Sequence, residues 1–68
     1  MRQMVMIGLG ETGWSVIRHF HKKYAIRVMD QSTHPRYAEE ARQCLGHDRV
    51  LCGALDYAWC TNADLVVF

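Results

Sequence analysis

The chain has 68 residues, half of them hydrophobic, and a formal net charge of +1. This length allows one domain at most, and a domain so small buries only about 60% of the surface that its unfolded chain exposes. The nearly balanced charge offers no basic excess for a nucleic-acid partner. With no signal peptide at the N-terminus and no apolar run near the roughly 20 residues of a membrane span, the composition predicts a cytoplasmic globular protein without a membrane partner.

Three cysteines and four histidines are the candidates for metal or disulfide chemistry. Cys44, Cys52 and Cys60 are spaced by eight residues and form no C-x-x-C pair, which argues against a zinc site and a disulfide framework. His19 and His21 lie two apart on a predicted helix and so face different ways. We predict buried, reduced thiols and no metal site.

The first third of the chain has the pattern of a strand, a glycine-rich turn and a helix. Residues Gln3–Ile7 form a nearly continuous apolar run that stops at Gly8, which is typical of a strand buried on both faces of a parallel sheet. From Gly13 to Tyr24 apolar residues recur at intervals of three and four, with basic residues on the other face. This spacing predicts an amphipathic helix.

A second strand, a second helix and a third strand follow. Ala25–Asp30 predicts strand two, and Gln31–His34 predicts a polar loop. Pro35 suits the first turn of a helix that would end with Gly46 as its C-cap. Strand three is predicted at Arg49–Cys52.

The last part of the chain predicts a fourth strand. Asp56–Thr61 has room for a turn or two of helix, with Trp59 in the core, and Ala63–Phe68 predicts a buried strand. The alternation predicts a Rossmann-like α/β fold, with flanking helices, right-handed crossovers and a parallel sheet in the order 3-2-1-4. Because a last strand without a following helix would leave one sheet face uncovered, we expect a chain truncated after strand four.

The turn after strand one is a complete G-x-G-x-x-G, formed by Gly8, Gly10 and Gly13. It follows a predicted strand, opens a predicted helix, and precedes Asp30 by twenty residues counted from Gly10, which is the context of a nucleotide-binding turn. The first two glycines would let the backbone approach a ligand, and the third would let the helix lie close to the sheet. The pattern predicts a phosphate or pyrophosphate site at the helix N-terminus, with a purely structural turn as the alternative.

Side chains around the turn are further candidates. Thr12 could donate its hydroxyl to a phosphate oxygen or serve only as a helix-start residue. The Glu11 carboxylate would repel a pyrophosphate, so we expect it to point into water. Asp30 could accept hydrogen bonds from a ribose or a base, with Gln31 and Ser32 beside it, or could simply begin a loop.

No residue of the chain is predicted to be catalytic. The sequence has no G-x-x-x-x-G-K-[ST] loop and no visible nucleophile–base pair. In a sheet of the predicted order the binding crevice opens between the C-terminal ends of strands one and four. The turn, Asp30 and residues just past Phe68 should therefore converge on one ligand.

Three segments carry a family resemblance: MVMIGLGETGWS, RVMD and ADLVVF. They resemble the UDP-N-acetylmuramoyl-L-alanine:D-glutamate ligases (MurD) of bacterial cell-wall synthesis, and the form G-L-G-x-T-G-x-S is more specific than a bare G-x-G-x-x-G. The resemblance implies an ATP-dependent amide ligase of three domains, of which residues 1–68 are most of the first. ATP and magnesium would belong to the central domain, so the fragment alone is expected to hold no cofactor and to be inactive.

The resemblance also implies a substrate and its contacts. UDP-N-acetylmuramoyl-L-alanine would be the ligand, with its diphosphate at the turn and its uracil and ribose at the end of strand two. The remaining domains of the parent chain would be the other partners. The implied contacts to the UDP moiety are Gly10, Glu11, Thr12, Gly13, Asp30, Gln31 and Ser32.

Two other interpretations remain open. An NAD-binding regulatory module of the potassium-transport type shares the turn, the acid that closes strand two and an A-D-x-V-V strand. Such modules usually have an aspartate directly after the strand-three glycine, where this chain has Ala54, and Thr12 and Ser15 in the turn motif favour the ligase. The third interpretation is half of an NAD-dependent dehydrogenase domain.

Overall fold

The computed structural model describes residues 1–68 as one parallel sheet with two α-helices. The strands are β1 (Arg2–Ile7), β2 (Tyr24–Asp30), β3 (Val50–Cys52) and β4 (Leu65–Val67). The α-helices are α1 (Glu11–Phe20) and α2 (Ala38–Leu45), and 3₁₀ turns lie at His47–Arg49 and Tyr57–Cys60. None of these helices has the length and apolar character that crossing a membrane requires.

The sheet has the order β3-β2-β1-β4, and all three strand pairs are parallel. This confirms the predicted fold class and strand order. β1 is central, with Met4 opposite Ile26 on one side and opposite Leu65 on the other. Outside the strands, one isolated antiparallel bridge joins Asp30 to Ala54.

The main core lies between one face of the sheet and the two α-helices. Side chains alternate across a strand, so every second residue of β1 and β2 points to the helical side. Ile17 of α1 and Ala41 of α2 are fully buried against these strands. The buried cluster consists of Met4, Met6, Leu9, Ile17, Ile26, Val28, Ala38, Ala41 and Val50.

The opposite face of the sheet is covered by much less chain. Val5 and Met29 are buried there, beneath the 3₁₀ turn Tyr57–Cys60. Trp59 of this turn is half-buried, and the Arg27 guanidinium carbon lies 5.6 Å from the centre of its ring. The prediction of Trp59 as a core residue was wrong, because a single 3₁₀ turn is too short to bury an indole against the sheet.

The predicted bounds of the first helix were wrong at both ends. α1 begins at Glu11 rather than Gly13 and ends at Phe20, and Tyr24 is already the first residue of β2. The Tyr24 ring packs edge-on against Phe20, with ring centroids 5.9 Å apart. The helical spacing of apolar residues therefore runs past the end of α1, because Tyr24 packs against Phe20 although it belongs to β2.

The second helix begins later than predicted. Pro35 precedes α2, and its carbonyl accepts a hydrogen bond from the Ala38 N–H at 3.2 Å. The C-cap prediction is confirmed at Gly46, which has a φ of 100° and donates its N–H to the Arg42 carbonyl at 2.8 Å.

The two outer strands are shorter than predicted. β3 starts at Val50, since the residues before it form a 3₁₀ turn. β4 lies at the edge of the sheet and Leu65 is 42% exposed, so the prediction of a fully buried fourth strand was wrong. The cysteines are free thiols, but they are half-buried rather than fully buried: Cys44, Cys52 and Cys60.

Candidate functional site

Two glycines of the turn are required by the fold itself. Gly8 has a φ of +105°, a conformation that L side chains rarely adopt, and its N–H donates to the Met29 carbonyl at 2.8 Å. A Cβ on Gly13 would overlap the carbonyl oxygen of Gly8. The absence of both side chains lets α1 start directly against the end of β1.

Gly10 is different, because nothing inside the chain requires glycine there. Its φ of −92° and ψ of −157° are accessible to any residue, and a Cβ would meet no atom within 4 Å. The space beside Gly10 is therefore open, and a group from outside the chain could approach the backbone closely.

That open space belongs to a groove between the C-terminal ends of β1 and β4. Its volume is about 380 Å³, which is within the usual range for ligand pockets. The first N–H groups of α1 have no intrahelical acceptors, and no side chain caps them. The groove is lined by Met6, Ile7, Gly8, Gly10, Glu11, Thr12, Gly13 and Phe68.

Asp30 connects the glycine-rich turn to the loop after β2. One carboxylate oxygen accepts the Leu9 N–H at 2.7 Å, and the other accepts the Ser32 N–H at 2.8 Å. The Gly53 N–H lies 2.9 Å from the carbonyl oxygens of both Asp30 and Ser32. The acid thus organises two loops, a role that sequence reasoning missed because Leu9 lies 21 residues away.

A second groove, of about 180 Å³, lies at the ends of β1 and β2. Asp30 and Gln31 line it, and it shares Ile7 and Gly8 with the first groove. The structure therefore brings the turn residues, Asp30 and Gln31 to one edge of the sheet. Ser32 lines neither groove, and its hydroxyl accepts the His34 N–H at 3.3 Å.

The two polar side chains of the turn are both accessible. Thr12 is exposed and lines the first groove. Glu11 is 75% exposed, and its carboxylate lies 3.5 Å from the guanidinium of Arg36, which is 71% exposed. The sequence alone did not reveal Arg36 as a neighbour, because the two residues are 25 positions apart.

The arrangement is suited to binding an anion at the first groove and a polar group at the second. Helix N–H groups and the helix dipole favour negative charge at the first groove, while carboxylate and amide groups border the second. No three His, Cys, Asp or Glu side chains come close enough together to hold a metal ion.

These features define the class of Rossmann-like α/β domains with a glycine-rich turn after the first strand. Residues 2–68 match the family described as Mur ligase MurD-like, N-terminal domain, and the chain belongs to this family. The chain is also 38% identical over 71 residues to a UDP-N-acetylmuramoylalanine–D-glutamate ligase from Vibrio vulnificus (strain YJ016). That match covers 98% of this chain, which spans 15% of the relative's length.

Proposed function

We propose that this chain holds the UDP end of UDP-N-acetylmuramoyl-L-alanine in a ligase that joins D-glutamate to this substrate in peptidoglycan synthesis. The observation that carries the proposal is the open groove beside Gly10 at the start of α1. Membership of the Mur ligase family supports the choice of ligand, as does the substrate named for the similar Vibrio vulnificus ligase.

In this proposal the diphosphate occupies the first groove. The first N–H groups of α1 donate to its oxygens, and the helix dipole favours its charge. Thr12 adds one charge-assisted hydrogen bond from its hydroxyl. Because Gly10 has no Cβ, a phosphate oxygen reaches the backbone without steric hindrance.

The uracil and ribose occupy the second groove, beside Asp30 and Gln31. A carboxylate has about four lone-pair sites, and the backbone N–H groups of Leu9 and Ser32 use two on Asp30. Asp30 thus keeps acceptor capacity for a ribose hydroxyl or an imide N–H, while it also fixes the loops around the ligand.

We assign ATP and magnesium binding to other domains of the parent ligase. This chain has no P-loop, so it lacks the elements that phosphoryl transfer needs, and we expect no ATP turnover from it alone. With ATP and a UDP-linked precursor as its substrates, the parent would work in the cytoplasm.

An NMR titration of the isotope-labelled chain with UDP and, separately, with NADH tests the proposal. We expect the amide signals of Gly10, Thr12 and Asp30 to move with UDP. Because the groove is open beside Phe68, which is 92% exposed, UDP should bind weakly. We expect a dissociation constant on the order of millimolar, which corresponds to a binding free energy of about −4 kcal/mol. A response of these amides to NADH and not to UDP would reject the ligase function and favour the NAD-binding regulatory module.

A further inference from the structure

An ion pair borders the outer side of the first groove. Glu11 is the first residue of α1 and lines the groove, and Arg36 lies just before α2. The guanidinium nitrogen and the carboxylate oxygen are 3.5 Å apart, and both side chains are largely exposed. The pair connects the start of α1 to the segment that leads into α2.

Arg36 makes a second contact besides the ion pair. Its guanidinium carbon lies 5.2 Å from the centre of the Tyr37 ring. Tyr37 in turn stacks on Trp14 of α1, with ring centroids 5.9 Å apart and an angle of 14° between the planes. A guanidinium on an aromatic ring that is itself packed loses less freedom on pairing than an isolated surface arginine does.

The position of Glu11 in the first turn of α1 makes a partner for its carboxylate important. A carboxylate in the first turn of a helix is attracted to the N–H groups and the positive dipole end. These are the same groups that would bind a diphosphate. An unrestrained Glu11 side chain would therefore compete with the ligand as well as repel it.

We infer that Arg36 is a positioning residue of the nucleotide site, which holds the Glu11 carboxylate away from the start of α1 and leaves the N–H groups free for the diphosphate. This inference rests on the proposed function of the groove. It differs from a direct role, in which Arg36 itself attracts the phosphate, because a direct role does not depend on the residue at position 11.

A double-mutant cycle separates the two roles. The dissociation constant for UDP is measured by NMR titration for the chain, Glu11→Gln, Arg36→Ala and the double variant. We expect Arg36→Ala to weaken UDP binding about fivefold, which corresponds to about 1 kcal/mol. In the Glu11→Gln background the same substitution should change the constant by less than about twofold.

Two further variants complete the design. Arg18→Ala removes the same positive charge from the same aromatic cluster, since the Arg18 guanidinium carbon lies 5.9 Å from the centre of the Trp14 ring. This control should change the dissociation constant for UDP by less than about twofold. Arg36→Lys keeps a cation for Glu11 and should bind UDP nearly as well as the unaltered chain.

The outcomes are distinguishable. If Arg36→Ala weakens binding equally in both backgrounds, or in neither, the positioning role is wrong although the groove still binds UDP. If the unaltered chain shows no response to UDP, the proposed function fails and this inference fails with it. Amide spectra of all variants before titration establish that the exposed substitutions leave the fold intact.

Discussion

At the scale of single residues, two glycines of one motif occupy their positions for different physical reasons. Gly13 is required by the fold, because a Cβ there would overlap a backbone carbonyl of Gly8 that cannot move without shifting the end of β1. Gly10 has an ordinary backbone conformation and empty space beside it. Gly13 therefore serves stability, whereas Gly10 leaves the open space that the proposed ligand would use.

This difference predicts that alanine lowers stability at one position and ligand affinity at the other. We expect Gly13→Ala to lower the free energy of unfolding by about 1–3 kcal/mol through overpacking. Gly10→Ala should change it by less than about 1 kcal/mol but should weaken UDP binding. Urea unfolding gives the stabilities, and titration with UDP gives the affinity. Equal loss of stability in the two variants would contradict the distinction.

The sequence was enough to predict that the glycine-rich turn and Asp30 lie at one edge of the sheet, but not which contacts they make. Asp30 was located from its distance to the glycine-rich turn, but its bonds to the Leu9 and Ser32 N–H groups depend on how two loops meet in space. The pair between Glu11 and Arg36 was missed for the same reason. No local pattern specifies contacts between residues so far apart in the chain.

At the scale of elements, the two sheet faces are unequally protected. α1 and α2 cover one face, whereas the 3₁₀ turn Tyr57–Cys60 covers part of the other.

The number and order of the strands could be predicted from the alternation of apolar runs, which reflects burial in a parallel sheet. The ends of the helices and strands could not be predicted in this way, because residues such as Tyr24 pack against a helix while belonging to a strand.

We expect Trp59 to contribute more to stability than its neighbour Tyr57, although both lie in the same 3₁₀ turn. Trp59 is half-buried and packs with Arg27, so Trp59→Ala should cost about 1–3 kcal/mol, below the value for a fully buried tryptophan. Tyr57 is 65% exposed, and Tyr57→Ala should cost less than about 0.5 kcal/mol. Thermal or urea unfolding of the two variants measures the contrast, and similar losses would mean that Trp59 packs no better than a surface residue.

At the scale of the whole molecule, the core is small. Only 12 of the 68 residues are buried, and a domain of this size has an unfolding free energy of roughly 3–10 kcal/mol. A loss of 3 kcal/mol is then a large part of the total. Substitutions that test ligand binding are therefore best made at exposed positions, where changes of affinity are separable from changes of stability.

Thr12 is such a position, and it tests the division of labour proposed for the parent ligase. It is exposed, lines the first groove and lies outside the buried cluster. If this domain contacts only the UDP end of the substrate, a substitution here should affect the binding of that substrate alone. Thr61, exposed at the end of the second 3₁₀ turn, offers a matched control.

In the full-length ligase that carries this domain, we expect Thr12→Val to remove one hydrogen bond to a charged phosphate, worth about 1.5–3 kcal/mol. The KM for the UDP-linked substrate should rise roughly ten- to hundredfold, while those for ATP and D-glutamate stay nearly unchanged. Thr61→Val should leave all three constants unchanged. Because the backbone N–H groups of α1 would still hold the diphosphate, activity should fall without vanishing. A comparable rise in the KM for ATP would instead mean that the groove at Thr12 binds ATP. The assignment of the UDP end of the substrate to this domain would then be wrong.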